Sequence, residues 1–361
     1  MIFDAQSPRV VFPLANGTQY AFVMNATNRD SRGGPSTPVA LAVPRLAGAN
    51  WTSGAPLGSP PQNLNGVAYN PVLNRIVAVG DSAPGTPPTP TIFAGDFNYT
   101  STSPPGVTAW TQATSIPAGF VSDLSSVTFS GSQFIALGTD GSILTSADGN
   151  TWVLSANPVP SGGMNSIAFG LVSGAVVYVA VGNGGKIFTS ADLVTWTAAT
   201  SPTGNNLHNV SFPNSTFVAT GASGTLLTSP DASIWTVVQN VPTSSALRGA
   251  TYGTGSAAGA SAQYVVVGDS GTIVTSTNLT NWSLITPAPL SQGLRAIRFG
   301  TRFVAVGQQG MVAYSDDAIN WSLSSVPVSV PPPPPPDLAA VIFTPAMYLA
   351  VGASGANAVS K

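Results

Sequence analysis

The sequence predicts an all-β fold, a seven-bladed β-propeller of four-stranded blades, and three observations lead to that prediction. A unit of about forty residues recurs along the chain, the length typical of a propeller blade. Each unit contains four strand-like segments separated by turns, and the chain has seven tryptophans, one for each of seven units.

Five copies of the unit align without gaps on a glycine that follows an apolar run and precedes a tryptophan. In every copy the glycine lies fourteen residues before the tryptophan. The aligned glycines are Gly138, Gly182, Gly221, Gly268 and Gly307, and the aligned tryptophans are Trp152, Trp196, Trp235, Trp282 and Trp321. A spacing held constant in five copies indicates one repeated structural unit.

The strands within a unit are bounded by recognisable turns. A short segment such as LRAIRF, at residues 294–299, opens the unit. The second and third strands are joined by a glycine-containing turn, which favours a tight hairpin with positive φ. The third and fourth are joined by the pattern S-x-D-x-x-x-W, where Ser and Asp side chains can accept hydrogen bonds from backbone N–H groups. Each unit is therefore predicted to be one antiparallel blade.

Two further copies complete the ring. A sixth begins at residues 64–69 and carries a proline-rich insertion before Trp110. The seventh is split, because residues 338–360 supply three strands and the segment of Trp51 supplies the fourth. We expect the strand of Trp51 to pair with the strand ending at Ser360, which removes an open sheet edge. A β-solenoid is the alternative architecture, but it would not need a split repeat.

The predicted propeller covers residues 46–361, and residues 1–45 lie outside it. Within that leader, residues 13–43 resemble the second half of a fibronectin type III domain. Leu14 and Tyr20 match the tyrosine corner of that domain. A sandwich that lacks its first strands cannot bury both of its sheets, so the leader is predicted to belong to a longer polypeptide or to dock on the propeller.

The repeat pattern resembles the Asp-box or BNR repeat, and its spacing is similar to that of the photosystem II assembly factor family of propellers. The resemblance covers the whole predicted propeller, and it implies that the turn residues are structural and lie away from the binding face. The residues concerned are Ser146, Asp148, Trp152, Ser190, Asp192, Trp196, Ser229, Asp231, Trp235, Ser315, Asp317 and Trp321. Asn278 replaces Asp in the aligned copy that ends at Trp282, which suits a turn-capping role and not a catalytic one.

The composition excludes several classes of function. Charged residues make up 7% of the chain, with a net charge of −2, against roughly a quarter in an average domain. Two lysines cannot form a basic face for phosphates, so nucleic-acid binding is not expected. No apolar run reaches the roughly 20 residues of a transmembrane helix. With no cysteine and a single histidine, His208, the sequence predicts neither a metal site nor a cofactor.

Catalytic patterns are scarce as well. The chain contains no Glu, so glycosidase chemistry with paired carboxylates would need two Asp residues. The candidates outside the S-x-D turns are Asp81, Asp140 and Asp269, which lie in glycine-containing turns where Asp is favoured for backbone reasons. The sequence therefore predicts that the protein is not an enzyme, with an Asp-dependent glycoside hydrolase or lyase as the alternative.

One set of side chains points to a binding site. The second residue of each innermost strand should face one mouth of the central channel, and these residues are Asn65, Ser125, Asn165, His208, Arg248, Arg295 and Ala339. The predicted ligand-binding residues are Asn65, Asn165, His208, Arg248 and Arg295. Arg248 and Arg295 would anchor an anionic or carbonyl-bearing ligand, and Arg298 and Arg302 could extend the patch. A channel filled only with water is the alternative.

The predicted function is a non-enzymatic interaction module that binds a protein or a glycan at one face of the propeller. The scarcity of charge and the fibronectin-like leader favour a secreted, extracellular or cell-surface location. The family resemblance favours a second hypothesis, an assembly chaperone for a membrane protein complex.

Overall fold

The computed structural model describes residues 47–85, 87–100, 103–107, 109–286, 290–327 and 334–360, and the backbone of four short strands between residues 20 and 42. The described part of the chain is all-β, with seven blade sheets arranged as a β-propeller, as predicted. Its helices are single 3-10 turns, and none of the described helices has the length and apolar character needed to cross a bilayer.

Each blade is an antiparallel sheet whose strands follow chain order from the channel outward, except that the outermost strand of blade seven, β5, comes from before blade one. Blade one contains β6 Leu64–Asn70, β7 Arg75–Ala83, β8 Thr89–Thr100 and β10 Thr111–Gln112, and blade two contains β11 Leu124–Phe129, β12 Phe134–Gly138, β13 Ile143–Ser146 and β14 Val153–Leu154. Blade three contains β15 Met164–Val172, β16 Ala175–Gly182, β17 Ile187–Ser190 and β18 Thr197–Ala198. Blade four contains β19 Leu207–Ser211, β20 Phe217–Gly221, β21 Leu226–Ser229 and β22 Thr236–Val237. Blade five contains β23 Leu247–Thr254, β24 Ala262–Gly268, β25 Ile273–Ser276 and β26 Ser283–Leu284. Blade six contains β27 Leu294–Phe299, β28 Phe303–Gly307, β29 Met311–Ser315 and β30 Trp321–Ser325. Blade seven contains β31 Leu338–Phe343, β32 Tyr348–Gly352, β33 Asn357–Ser360 and β5 Trp51–Ser53. An extra strand, β9 Ser103–Val107, pairs with β8, and the 3-10 turns are Asn183–Gly185, Pro213–Ser215, Asp269–Gly271, Gln308–Gly310 and Ala353–Gly355.

Four short strands precede the propeller in sequence. They form two separate pairs, β1 Tyr20–Phe22 with β4 Ala40–Ala42 and β2 Asn25–Thr27 with β3 Arg32–Pro35. The predicted corner residue Leu14 and the side chain of Tyr20 lie outside the described residues. The fibronectin type III resemblance and the boundary between residues 45 and 46 therefore stay predictions.

The ring closes as predicted, with β5 beside β33 and Trp51 opposite Ser360. Two segments that are distant in sequence here form the same kind of turn that one continuous segment forms in blades two to six. The Gly48 N–H donates to Ser360 Oγ at 2.7 Å, just as the Gly149 N–H donates to Ser146 Oγ at 2.8 Å in blade two. Innermost strands contact each other in a closed cycle, from β6 round to β31 and back to β6, so the solenoid alternative is wrong.

The core lies between neighbouring blades. Second strands such as β12 and β28 are buried at every residue, because a blade packs against each face of the sheet. That double burial explains why these strands read as continuous apolar runs instead of alternating ones. Aromatic pairs also form within blades, such as Phe299 and Phe303 of blade six, whose ring centroids lie 4.8 Å apart. Burial of one large apolar side chain contributes about 1.5–3 kcal/mol.

The register places two kinds of turn at opposite ends of each blade. Leu247 pairs with Gly268 at one end, which we call the channel mouth, whereas Tyr264 pairs with Ser276 at the other end. The S-x-D turns therefore lie at the end away from the mouth, which is where the family resemblance places them. The assignment of the repeats to the Asp-box class stays a prediction.

The hydrogen bonds predicted for these turns are present. Asp231 Oδ1 accepts the backbone N–H groups of Ser233 and Ile234 at 2.9 and 3.1 Å. The backbone hydrogen bond from Ile234 and the side-chain hydrogen bond from Ser233 are the leading causes that lower the pKa of Asp231 to about 2. Asn278 accepts the equivalent bonds from Thr280 and Asn281, both at 3.0 Å. The amide oxygen therefore does the same capping work as the carboxylate.

Candidate functional site

The five predicted ligand-binding residues lie around one cavity at the channel mouth. Its volume is about 370 Å³, and its lining residues are Asn63, Leu64, Asn65, Asn165, His208, Arg248, Arg295, Asp337, Leu338, Ala339 and Ala353. Every blade except the second contributes to that lining. Ser125 of blade two, the remaining member of the predicted tier, instead donates to Leu137 O at 3.2 Å. Each of the five side chains is partly buried, so it is positioned by the protein and still open to the cavity.

The two arginines share one carboxylate, which the sequence reasoning did not foresee. Arg248 donates from Nε and Nη2 to the two oxygens of Asp269, at 3.1 and 2.8 Å. Arg295 of the next blade donates from Nη1 to Asp269 Oδ1 at 3.3 Å. Burial acts to raise the pKa of Asp269, but the hydrogen bond and charge of Arg248 and the charge of Arg295 outweigh it and hold this pKa below its usual value.

The two asparagines of the site connect neighbouring blades. Asn65 Nδ2 donates to the carbonyl oxygen of Leu124 in blade two at 3.0 Å and to Asp81 Oδ1 at 2.7 Å. Asn165 Nδ2 makes the same kind of bond to Leu207 O in blade four, at 2.7 Å. Because these amide groups already donate to protein atoms, they fix the shape of the mouth. Compared with these two asparagines, Arg295 retains more N–H donors that can bind a ligand.

His208 of blade four lies near the charged residues of blades five and six. Burial lowers its pKa below 6.5, the positive charges of Arg248 and Arg295 lower it further, and the negative charge of Asp269 acts in the opposite direction. The imidazole is therefore neutral at pH 7 and joins the site as a polar, uncharged group.

The turn interpretation of three aspartates holds for one of them. Asp140 accepts the Ser142 N–H and the Ser142 hydroxyl within its own turn, both at 2.9 Å. The side chains of Asp81 and Asp269 instead bond to tier residues, so the expectation that backbone geometry alone explains them is wrong. They follow the glycines that pair with the first residues of the innermost strands, Gly80 with Leu64 and Gly268 with Leu247, and this register brings them to the mouth.

The expectation that Arg298 and Arg302 extend the patch is not supported by their positions. Neither residue lines the cavity. Arg302 follows the turn at the opposite end of blade six, is 8% exposed, and donates from Nε to Asp316 Oδ1 at 2.8 Å. Its guanidinium carbon also lies 4.7 Å from the centre of the Tyr314 ring. Arg302 is thus part of the structural framework.

Sequence reasoning missed two polar residues that precede the innermost strands, Asn63 and Asp337. Both line the cavity. Asp337 occupies the position just before the first residue of its blade, as Asp123 does in blade two. Alignment of this preceding position, and of the residue after each repeat glycine, was the signal that could have identified the rest of the site.

The charges around His208 give a direct prediction. In an Asp269→Asn variant the pKa of His208 should fall, because the carboxylate that favours the imidazolium is lost, and in Arg295→Gln it should rise. A pH titration of the imidazole proton NMR signal measures both shifts without assignment ambiguity, since the chain has one histidine. Shifts of the same sign in the two variants would contradict this electrostatic description.

A metal centre has no obvious ligands here. Among the described residues, no group of three or more His, Cys, Asp or Glu side chains is arranged to hold a metal ion.

Comparison with solved structures shows likeness in fold at low sequence identity. The photosystem II assembly factor YCF48, solved bound to a D1 peptide, matches with a TM-score of 0.62 and 18% identity over 86% of this chain and 94% of that one. Virginiamycin B lyase from Staphylococcus aureus matches in a catalytically inactive histidine variant with quinupristin, with a TM-score of 0.64 and 12% identity over 86% of this chain and 99% of that one. No protein-family profile and no curated protein matches the sequence. The likeness places the chain among the seven-bladed β-propellers.

Proposed function

We propose that this protein is a non-enzymatic interaction module that binds a segment of another protein at the channel mouth. One observation carries the proposal: polar side chains from separate blades converge on a single cavity, where Arg295 bonds to Asp269 through one nitrogen only. An arginine with unused donors in a partly desolvated cavity suits a carboxylate or carbonyl group. The fold-related YCF48 was solved with a bound peptide, which supports a peptide ligand in preference to a glycan.

The carboxyl groups support a role without catalysis. A glycosidase general acid needs a raised pKa, but wherever the pKa of a described aspartate shifts, it falls. The fold is also found in a lyase whose histidine variant is inactive, and a histidine-dependent lyase reaction in this chain would have to use His208, its single histidine. That imidazole lies beside two arginines that disfavour its protonated form, so His208 is poorly placed to donate a proton at neutral pH.

We also propose that the protein works at the cell surface or outside the cell, on the basis of the low content of charged residues and the fibronectin-like leader. An assembly factor that holds a membrane protein segment is the second candidate, supported by the fold shared with YCF48. Cell fractionation distinguishes the two, because the first should appear in surface or culture fractions and the second with internal membranes.

A peptide array tests the proposed binding. The wild-type protein should retain a subset of random peptides, and Arg295→Gln should lose most of that binding. Arg75→Gln is the matched control, because Arg75 lies at the end of blade one away from the mouth, in an exposed ion pair with Asp96, and the substitution removes the same charge. Equal binding by the two variants would contradict the proposal, and retention of glycans alone on a parallel glycan array would replace the protein ligand with a sugar.

A further inference from the structure

The basic side of the cavity contains two arginines in different roles. Arg248 is held by Asp269 through two parallel hydrogen bonds, a geometry that fixes the guanidinium in place. Arg295 contacts the same carboxylate through Nη1 alone, and no other hydrogen bond to Arg295 is found in the described part of the chain. Arg248 therefore positions Asp269, and Arg295 is the residue whose donors remain for a ligand.

Two acidic residues lie on the two blades that follow Arg295 around the ring. Asp337 of blade seven lines the cavity and is exposed, and Asp337 Oδ1 accepts the backbone N–H of Gln309 at 2.9 Å. Asp81 accepts hydrogen bonds from the amide groups of Asn63 and Asn65. Among the described residues, the ion pairs of the protein include neither Asp81 nor Asp337. These two carboxylates thus have hydrogen-bond donors around them but no neutralising cation.

The two kinds of charge are separated around the ring. Arg248 and Arg295 belong to blades five and six, whereas Asp337 and Asp81 belong to blades seven and one. With Asp269 included, these carboxylates outnumber the two arginines by three to two. A ligand with only negative charge is therefore attracted by Arg295 and repelled by the carboxylates of the next two blades, whereas a dipolar ligand is attracted by both kinds of charge.

We infer that the mouth binds a dipolar peptide segment, with a carboxylate side chain directed toward Arg295 and a lysine or arginine side chain directed toward Asp337. This inference rests on the proposed function and specifies the ligand of the same site. The cavity volume of about 370 Å³ lies near the lower end of the range of roughly 300–1,000 Å³ for ligand sites, so a short segment of the partner would occupy it.

Four capped tripeptides test the inference as a ligand charge cycle. The probes are acetyl-Asp-Gly-Lys-amide, its acidic analogue with Gln in place of Lys, its basic analogue with Asn in place of Asp, and the neutral peptide with both replacements. Titration is followed by the NMR signal of the His208 imidazole, which lines the cavity. The dipolar peptide should bind roughly fivefold more tightly than either singly charged peptide, as expected for partly exposed ion pairs.

Protein variants assign each half of the ligand to its side of the cavity. Arg295→Gln should remove the preference for Asp over Asn in the peptide, and Arg295→Lys should restore part of it. Asp337→Asn should remove the preference for Lys over Gln. The matched control is Asp123→Asn. Asp123 occupies the same position in its repeat as Asp337 and also accepts a backbone N–H, that of Ser82, at 2.8 Å. Unlike Asp337, it does not line the cavity. The control variant should keep the wild-type order.

Two results would overturn the inference. One is an acidic peptide that binds as tightly as the dipolar peptide. The other is the same order of peptide affinities in Asp337→Asn and Asp123→Asn. If no tripeptide perturbs the His208 signal while the peptide array still depends on Arg295, the charge assignment is wrong and the proposed function stands. If the array retains no peptide, the proposed function fails independently of the tripeptide result.

Discussion

Trp51→Ala should destabilise the protein by about 3–5 kcal/mol, the usual cost of truncating a buried aromatic side chain, and should also open the ring. Trp51 is 6% exposed, and its Nε1–H donates to Gly48 O at 2.9 Å. The indole packs in the same cluster as Tyr348 and Val304, so its removal leaves a cavity between blades six and seven. Urea unfolding measures the loss of stability.

The ring should open because no covalent bond directly joins the two halves of the turn that closes blade seven. In blade seven the serine is Ser360 and the tryptophan is Trp51, so hydrogen bonds and packing alone hold the fourth strand. Loss of the indole weakens that attachment and exposes the edge of β33. Backbone amides of β33 should then exchange with deuterium faster than those of the other third strands, well before global unfolding.

Trp152→Ala is the matched control, because Trp152 is 3% exposed and donates to Gly149 O at 3.1 Å in an unbroken turn. It should cost a similar free energy of unfolding, with faster exchange confined to its own blade. If Trp51→Ala leaves the exchange of β33 unchanged, noncovalent closure does not limit the local stability of blade seven.

Much of the fold could be predicted because the repeat determines where each strand begins. The constant spacing between glycine and tryptophan fixes which residues share a level of the ring, so the split blade and the tier at the mouth follow from alignment. Side-chain partners do not follow in the same way. Arg295 and Arg302 are seven residues apart, but a strand rises about 3.3 Å per residue, so they lie at opposite ends of blade six.

The pairing of Asp269 with both arginines was hidden for a related reason. A glycine-containing turn favours Asp whether or not its side chain has another partner, so composition alone cannot separate the two cases. The hydrogen bonds separate them, because Asp140 accepts bonds from its own turn and Asp269 accepts bonds from Arg248 and Arg295. Register, read across strands, was needed to see which of these turns reach the mouth.

The structure explains why each repeat requires a glycine at this position, which the alignment alone did not explain. The φ of Gly268 is −162°, which is extended backbone, so conformational freedom is not required at this position. The requirement is close approach: an added Cβ would lie 2.3 Å from Ala246 O, the atom that accepts the Asp269 N–H at 2.9 Å. The equivalent contact at Gly221 is 2.4 Å from Asn206 O.

Gly268→Ala should therefore destabilise the protein by about 1–3 kcal/mol, the range expected when a methyl group is forced into a packed site, and should disturb the binding site as well. The methyl group must push the backbone of Ala246 away, and this movement shifts Arg248, two residues after Ala246, and Asp269, which directly follows Gly268. Urea unfolding measures the first effect, and the pKa of His208 reports the second because both charges act on it.

Gly204→Ala separates this contact from the general effect of replacing a glycine. No atom outside its neighbours lies within 4 Å of a Cβ added at Gly204, so this variant should retain both the wild-type stability and the wild-type pKa of His208. If Gly268→Ala matched it in both measurements, the backbone contact at Ala246 would not be what holds Arg248 and Asp269 together. A loss confined to Gly268→Ala would mean that the glycine which defines the repeat also fixes the geometry of the mouth, so that fold and binding site depend on the same backbone contact.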